Sequence, residues 1–127
     1  MRAISTPEAP AARGHYSQAI VHGGLVYVAG QLPLVPGEPD ARLAGFETQA
    51  RQVIDNVVAI LEAAGSGADL VLKATVYIAD VAHWPAFNAL YAERFGGPPP
   101  ARSTVQAARL PRDAKVEIEV IAIKRGR

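Results

Sequence analysis

Ser17-Gln-Ala-Ile-Val-His-Gly-Gly-Leu-Val-Tyr-Val-Ala-Gly-Gln31 is the stretch from which the fold can be read. Two apolar runs, Ser17–His22 and Leu25–Gln31, flank the pair Gly23-Gly24. Adjacent glycines adopt the positive φ angles of a two-residue turn without steric cost, so the segment predicts a β-hairpin. No Asp, Glu, Lys or Arg occurs between Tyr16 and Gly37. That interval is nevertheless no membrane span, because Gln18, His22, Gln31, Pro33 and Pro36 interrupt it and a spanning helix needs about 20 mostly apolar residues.

Working outward, residues 1–14 read as an irregular arm, since Pro7, Pro10 and Gly14 oppose a regular element. Residues 32–44 carry Pro33, Pro36, Gly37 and Pro39 and read as a loop. From Phe46 to Ala64 the period changes. Ala50, Val53, Ile54, Val57, Leu61 and Ala64 recur at spacings of three and four, which predicts an amphipathic helix closed by Gly65. Leu70–Ala79 predicts a strand with Leu72, Ala74, Val76 and Ile78 on one face and Lys73, Thr75 and Tyr77 on the other. A second helix follows from Trp84 to Phe95, with Trp84, Phe87, Tyr91 and Phe95 on one side and Pro85 in its first turn. Two final strands are expected at Arg102–Ala107 and Val116–Lys124, joined by the turn-like Leu110-Pro111-Arg112-Asp113.

The order β-β-α-β-α-β-β favours a single α+β domain over residues 1–127, with both helices packed on one face of a sheet. In the last strand, Val116, Ile118, Val120 and Ala122 share one face while Glu117, Glu119, Ile121 and Ile123 share the other. Branched aliphatics on both faces point to cover on both, and in so short a chain that points to an oligomer.

Thirteen basic residues against 12 acidic ones leave a net charge of +1 with no basic stripe, which gives nucleic-acid binding no support. Zero cysteines exclude disulfides, thiolate catalysis and cysteine-ligated metal. The N-terminus lacks the apolar core of a secretory signal, so a cytoplasmic protein is the expectation. His15, His22 and His83 have no metal-ligand spacing. No phosphate loop or dinucleotide fingerprint surrounds the glycines, and no metal or cofactor is expected.

Arg102 follows Pro98, Pro99 and Pro100, a run stiffened toward polyproline II. A guanidinium presented by a stiff backbone can grip a carboxylate through two parallel hydrogen bonds, although an exposed arginine at a strand start reads equally as surface. Glu117 lies within an apolar strand and must face solvent or a partner, because an unpaired buried carboxylate is costly. Glu119 shares its face, so the two form either an acid–base pair or a solvated strip. If the two C-terminal strands pair, Arg102 and Glu117 share one pocket. Gly30 permits either a bulge or a close backbone approach, and Tyr16 offers a ring and a phenol at the hairpin entrance.

Pro10-Ala-Ala-Arg-Gly-His-Tyr16-Ser-Gln-Ala, Val28-Ala-Gly30-Gln-Leu-Pro, Asn56, Phe87-Asn88-Ala-Leu-Tyr91, Pro100-Ala-Arg102-Ser-Thr-Val105 and Leu110-Pro with Val116-Glu117-Ile-Glu119 together resemble the YjgF/RidA family of reactive-intermediate deaminases. The resemblance runs from about residue 5 to residue 124. It implies a chorismate-mutase-like fold, a homotrimer with pockets at the subunit boundaries, and cofactor-free hydrolysis of imino and enamino acids to 2-keto acids and ammonia. By motif it implies that Arg102 clamps the substrate carboxylate and Glu117 orients the attacking water. Gly30 and Thr104 would turn backbone groups to the substrate, Tyr16 would border the pocket, and Asn88 would have a lesser role.

Arg13, His15 and Ala29 depart from the family pattern, and Thr104 stands where some members carry cysteine. These departures bear on substrate choice more than on reaction type. A non-catalytic carboxylate binder and a purely structural trimer are the rival readings. Both would leave Glu117 without a purpose.

Overall fold

A computed structural model describes residues 1–126. Its elements are β1 (Arg2–Ile4), β2 (Ala19–His22), β3 (Leu25–Gln31), α1 (Phe46–Ala63), β4 (Val71–Ile78), α2 (Trp84–Arg94), β5 (Ala101–Gln106) and β6 (Val116–Ile123). The strands form one sheet in the order β1-β2-β3-β6-β4-β5. Neighbours are antiparallel except β4 and β5, which run parallel because α2 carries the chain back across the sheet.

The hairpin turns where the glycines require it. Gly23 and Gly24 have φ of 60° and 79°, and His22 pairs with Leu25. The expected stripe of α1 is buried in full, and Val53, Ile54, Val57 and Leu61 are inaccessible to solvent. Truncating Ile54 or Leu61 to alanine should cost about 2–5 kcal/mol. The helix closes through Gly65 at φ 81°, with the Ser66 amide reaching the Leu61 carbonyl at 2.8 Å and the Gly65 amide the Glu62 carbonyl at 3.1 Å. Val26, Val28, Ala74, Val76, Val116, Ile118 and Val120 join α1 and the Phe87–Phe95 side of α2 in one core. Both helices therefore cover the same sheet face, as the element order predicts.

Two expectations change. The arm is not wholly irregular: Arg2–Ile4 pairs with β2, because Pro7 and Pro10 lie beyond this short strand and Ile4 reaches the core. Leu72 does not share the buried face of β4. The register shifts between Val71 and Lys73, so Val71 turns inward and Leu72 is left 44% exposed.

Buried amides fix the loops around this frame. Gln18 accepts from the Thr6 amide at 2.7 Å and donates to the Pro10 carbonyl at 2.8 Å, which holds the arm against β2. Asn56 donates to the carbonyls of Leu32 and Leu34 at 3.0 and 2.8 Å and so anchors the segment leaving β3. Gln49 ties the Ala44 carbonyl to the Lys115 amide.

Candidate functional site

Arg102 enters at the start of β5, in register with Ala74, and its side chain lies on the helix side of the sheet. Its guanidinium carbon sits 4.4 Å from the ring centroid of Trp84 and 4.5 Å from that of Tyr91. Nη2 donates to Oδ1 of Asn88 at 2.9 Å. Trp84, Asn88 and Tyr91 are spaced four and three residues apart on α2 and therefore share one stripe. Two cation–π contacts and one hydrogen bond fix the guanidinium while leaving donors for a ligand. A recess of about 570 Å³ opens beside it, bordered by Asn88, Tyr91, Phe95, Pro99 and Pro100. The Tyr91 hydroxyl is buried without a hydrogen-bond partner among the described residues. Burial pushes that phenol up, and Arg102 pulls it partly back.

Glu117 lies on β6 in register with Tyr77, between the core residues Val116 and Ile118, so it points to the face opposite the helices. Its carboxyl lies against Gly30. A Cβ added at Gly30 would collide with Oε2 of Glu117 and stand 3.2 Å from Cδ. The β3–β6 register also shifts between Val28 and Gln31, which bears out the bulge reading of Gly30. Burial raises the Glu117 carboxyl above the usual carboxylate range, and the like charge of Glu119 adds to the rise. Glu119 itself accepts from the Tyr77 hydroxyl at 2.7 Å. The two carboxyls on this strip are thus unlike: Glu119 has a donor, whereas Glu117 is half-buried and unfavourably charged.

Tyr16 and Gly30 line a second cavity, of about 460 Å³, together with Gln18, Gln31, Arg13 and Arg112. The Tyr16 hydroxyl accepts from the Arg13 amide at 3.3 Å, and its ring packs over Gly14. The cavity wall is set by the same Gln18 and Asn56 amides that hold the arm and the loop.

Six residues were expected to form one site; within one chain five of them form two groups and Thr104 stands apart. Arg102 and Asn88 meet at α2; Glu117 and Gly30 meet where β6 and β3 pair, and Tyr16 lines the cavity beside Gly30. The strands β5 and β6 do not pair, because β4 lies between them. Arg102 aligns with Ala74 and Glu117 with Tyr77, which separates them by about 10 Å along the strands and about 10 Å across. Their side chains also leave opposite faces. Thr104 sits on the exposed edge strand, in register with Val76. The sequence reading missed the roles of Trp84 and Tyr91 at Arg102. Their spacing around Asn88 carried the signal but reads first as core.

Residues 6–124 match the family model described as Endoribonuclease L-PSP. A RutC family protein of Pyrococcus horikoshii is 45% identical over 95% of this chain and 96% of its own length. The 2-iminobutanoate/2-iminopropanoate deaminase of Escherichia coli is 43% identical over 98% of each. In structure, the RidA protein of the Antarctic bacterium Psychrobacter sp. PAMC 21119 superposes with a TM-score of 0.92 at 41% identity, over 97% of this chain and 99% of that one.

Proposed function

The chain belongs to the Endoribonuclease L-PSP family, the YjgF/RidA group that its motifs resemble, and on that premise we propose that it hydrolyses small 2-imino acids and their enamine tautomers. The products are a 2-keto acid and ammonia, and the reaction is redox-neutral. The observation that carries this reading is the preparation of two complementary groups. Arg102 is immobilised with free donors beside a recess, and Glu117 is a carboxyl of raised pKa pressed against a glycine.

Arg102 grips the substrate carboxylate through paired hydrogen bonds and sets the C=N carbon in one place. Glu117, ionised, accepts a proton from a water whose oxygen attacks that carbon. The C=N bond becomes a C–N single bond and the nitrogen takes a proton. Transfer of the hydroxyl proton through Glu117 to that nitrogen then re-forms a carbonyl as the C–N bond breaks, and ammonia leaves. Gly30 and Thr104 offer backbone groups to the substrate, Tyr16 borders the pocket and Asn88 holds Arg102.

Because Arg102 and Glu117 leave opposite faces of one sheet, a pocket containing both takes one group from each of two copies. A homotrimer with three boundary pockets satisfies this. It also covers the aliphatic outer residues Ile121 and Ile123 of β6, the second of which is 40% exposed in the single chain. No helix among the described residues is long and apolar enough to cross a membrane.

The test follows keto-acid formation from enzymatically generated 2-iminobutanoate, with semicarbazide competing for the imine. We expect faster hydrolysis that falls about a hundredfold or more in Arg102→Ala and in Glu117→Gln. Equal hydrolysis with and without the folded protein would overturn the reading. Retained binding of 2-oxobutanoate that needs Arg102 but not Glu117 would replace it with a carboxylate binder.

A further inference from the structure

The cavity beside Tyr16 and Gly30 holds more positive charge than the hydrolysis of a simple imino acid requires. Arg13 and Arg112 both line it, and a substrate with one carboxylate has already been assigned to Arg102. The two guanidinium groups converge on one short segment, residues 39–41. Arg13 Nη1 reaches Asp40 Oδ1 at 3.5 Å, and Arg112 donates to the carbonyls of Pro39 and Ala41.

Their partners differ in kind. The Arg13–Asp40 pair is long, and both side chains are more than half exposed, so Arg13 exchanges its partner readily. Arg112 is bound by neutral carbonyls, which orient its guanidinium without cancelling its charge. Its backbone is held in the left-handed region at φ 62°, and the neighbouring Asp113 is engaged by Arg109 at 2.7 Å. The arginine end of the cavity therefore presents two cations against the single carboxylate of Asp40. The other nearby acid, Glu117, lies at the Gly30 end.

We propose that Arg13 and Arg112 form a second anion subsite, which receives the side-chain carboxylate of an imino acid that carries two acidic groups. This inference rests on the imine-hydrolase reading and narrows its substrate class. Arg102 takes the carboxylate next to the C=N bond, whereas Arg13 swings from Asp40 to the distal carboxylate, which Arg112 flanks. Asp40 then faces solvent. The chemistry at the C=N carbon is unaltered, and the added charge pair acts on selectivity.

The test compares kcat/KM for the imine of aspartate, generated by an amino-acid oxidase, with that for 2-iminobutanoate, in the wild type, Arg13→Leu, Arg13→Lys and Arg112→Gln. We expect a wild-type preference for the diacid that falls about tenfold in Arg13→Leu and in Arg112→Gln, that Arg13→Lys largely restores, and that added salt erodes. Calorimetric titration with 2-oxoglutarate and 2-oxobutanoate reads the same subsite without turnover. A diacid-to-monoacid ratio of rates and of affinities that ignores Arg13 and Arg112 would overturn the subsite while leaving the hydrolase intact. Conversely, absence of turnover on either imine, with 2-oxoglutarate binding that depends on Arg13, would overturn the hydrolase and keep the subsite.

Discussion

The guanidinium of Arg102 lies between two rings and an amide of one helix, whereas the carboxyl of Glu117 lies on a sheet face that the helices leave open. The first group is positioned by its own chain. Tyr91 and Phe87 are core residues, so the stripe of α2 that carries Tyr91 and Asn88 is as rigid as the core itself. The second group is half-buried and repelled by Glu119, both of which disfavour its charge, and it is pressed on Gly30. A cation finished within the subunit and a carboxyl left under electrostatic stress divide the work differently. In the proposed reaction the first binds the carboxylate and the second accepts a proton. The two groups leave opposite faces of the sheet, so the proposed pocket draws one from each of two copies.

The sharpest way to break this contrast is Gly30→Ala. The added methyl would take the place of Oε2 of Glu117, a flexible side-chain end that can move aside, so the fold should lose less than about 1 kcal/mol. Activity should fall about a hundredfold, as in Glu117→Gln, because the carboxyl is pushed off its water. Steady-state kinetics beside thermal denaturation check both halves. A large loss of stability with little loss of activity would mean that Gly30 serves the bulge between Val28 and Gln31 and not the carboxyl.

The pH profile comes next in size. Glu117 has a folded-state pKa above its unfolded value, so the folded protein binds the proton more tightly. Stability from this group is therefore present below the ordinary carboxylate range and is lost as pH rises through the raised value. Activity runs the other way, since only the carboxylate accepts a proton. On the acid side kcat/KM should drop about tenfold per pH unit, with a midpoint above that of a free glutamate. Glu117→Gln should remove both trends, and a profile that survives in that variant would assign the titration to another group.

Trp84→Leu probes the cationic half. Losing one ring face from Arg102 should raise KM for a carboxylate substrate about fivefold while moving kcat less. Asn88→Ala should act in the same direction through loss of the 2.9 Å bond. A fall in kcat without a change in KM in either variant would detach these residues from carboxylate binding.

What could be read from the sequence follows from the range of each signal. The Gly23-Gly24 turn, the α1 stripe and the alternation in β6 are local periodicities, and the fold keeps them. Leu72 was misplaced because a one-residue register shift reverses a face and leaves no mark in composition. The strand order was beyond reach for a related reason. Nothing in β5 or β6 says that β4 lies between them, so the sequence leaves open the pairing on which a shared pocket for Arg102 and Glu117 within one chain depends, and the sheet order excludes it. Arg102, Glu117, Gly30 and Tyr16 stand out as candidates by residue type and position, and Thr104 and Asn88 by resemblance alone, whereas the rings around Arg102 need three-dimensional distances. Trp84 and Tyr91 look the same in sequence whether they pack a core or hold a cation.

Tyr91 gives the smallest of the expected effects and a direct check on that double use. Its ring carries the cation–π contact with Arg102, while its hydroxyl is buried with no partner among the described residues. A phenylalanine keeps the ring and its negative face and removes the unpaired group. Tyr91→Phe should therefore raise stability, by up to about 1 kcal/mol, and should affect KM less than Trp84→Leu does. Denaturant unfolding measures the first expectation, and carboxylate titration measures the second. If the variant is instead destabilised by about 1 kcal/mol or more, the hydroxyl has a hydrogen-bond partner in the assembly. The cationic half would then draw on a neighbouring copy, and the contrast between the two would narrow to the aromatic box alone.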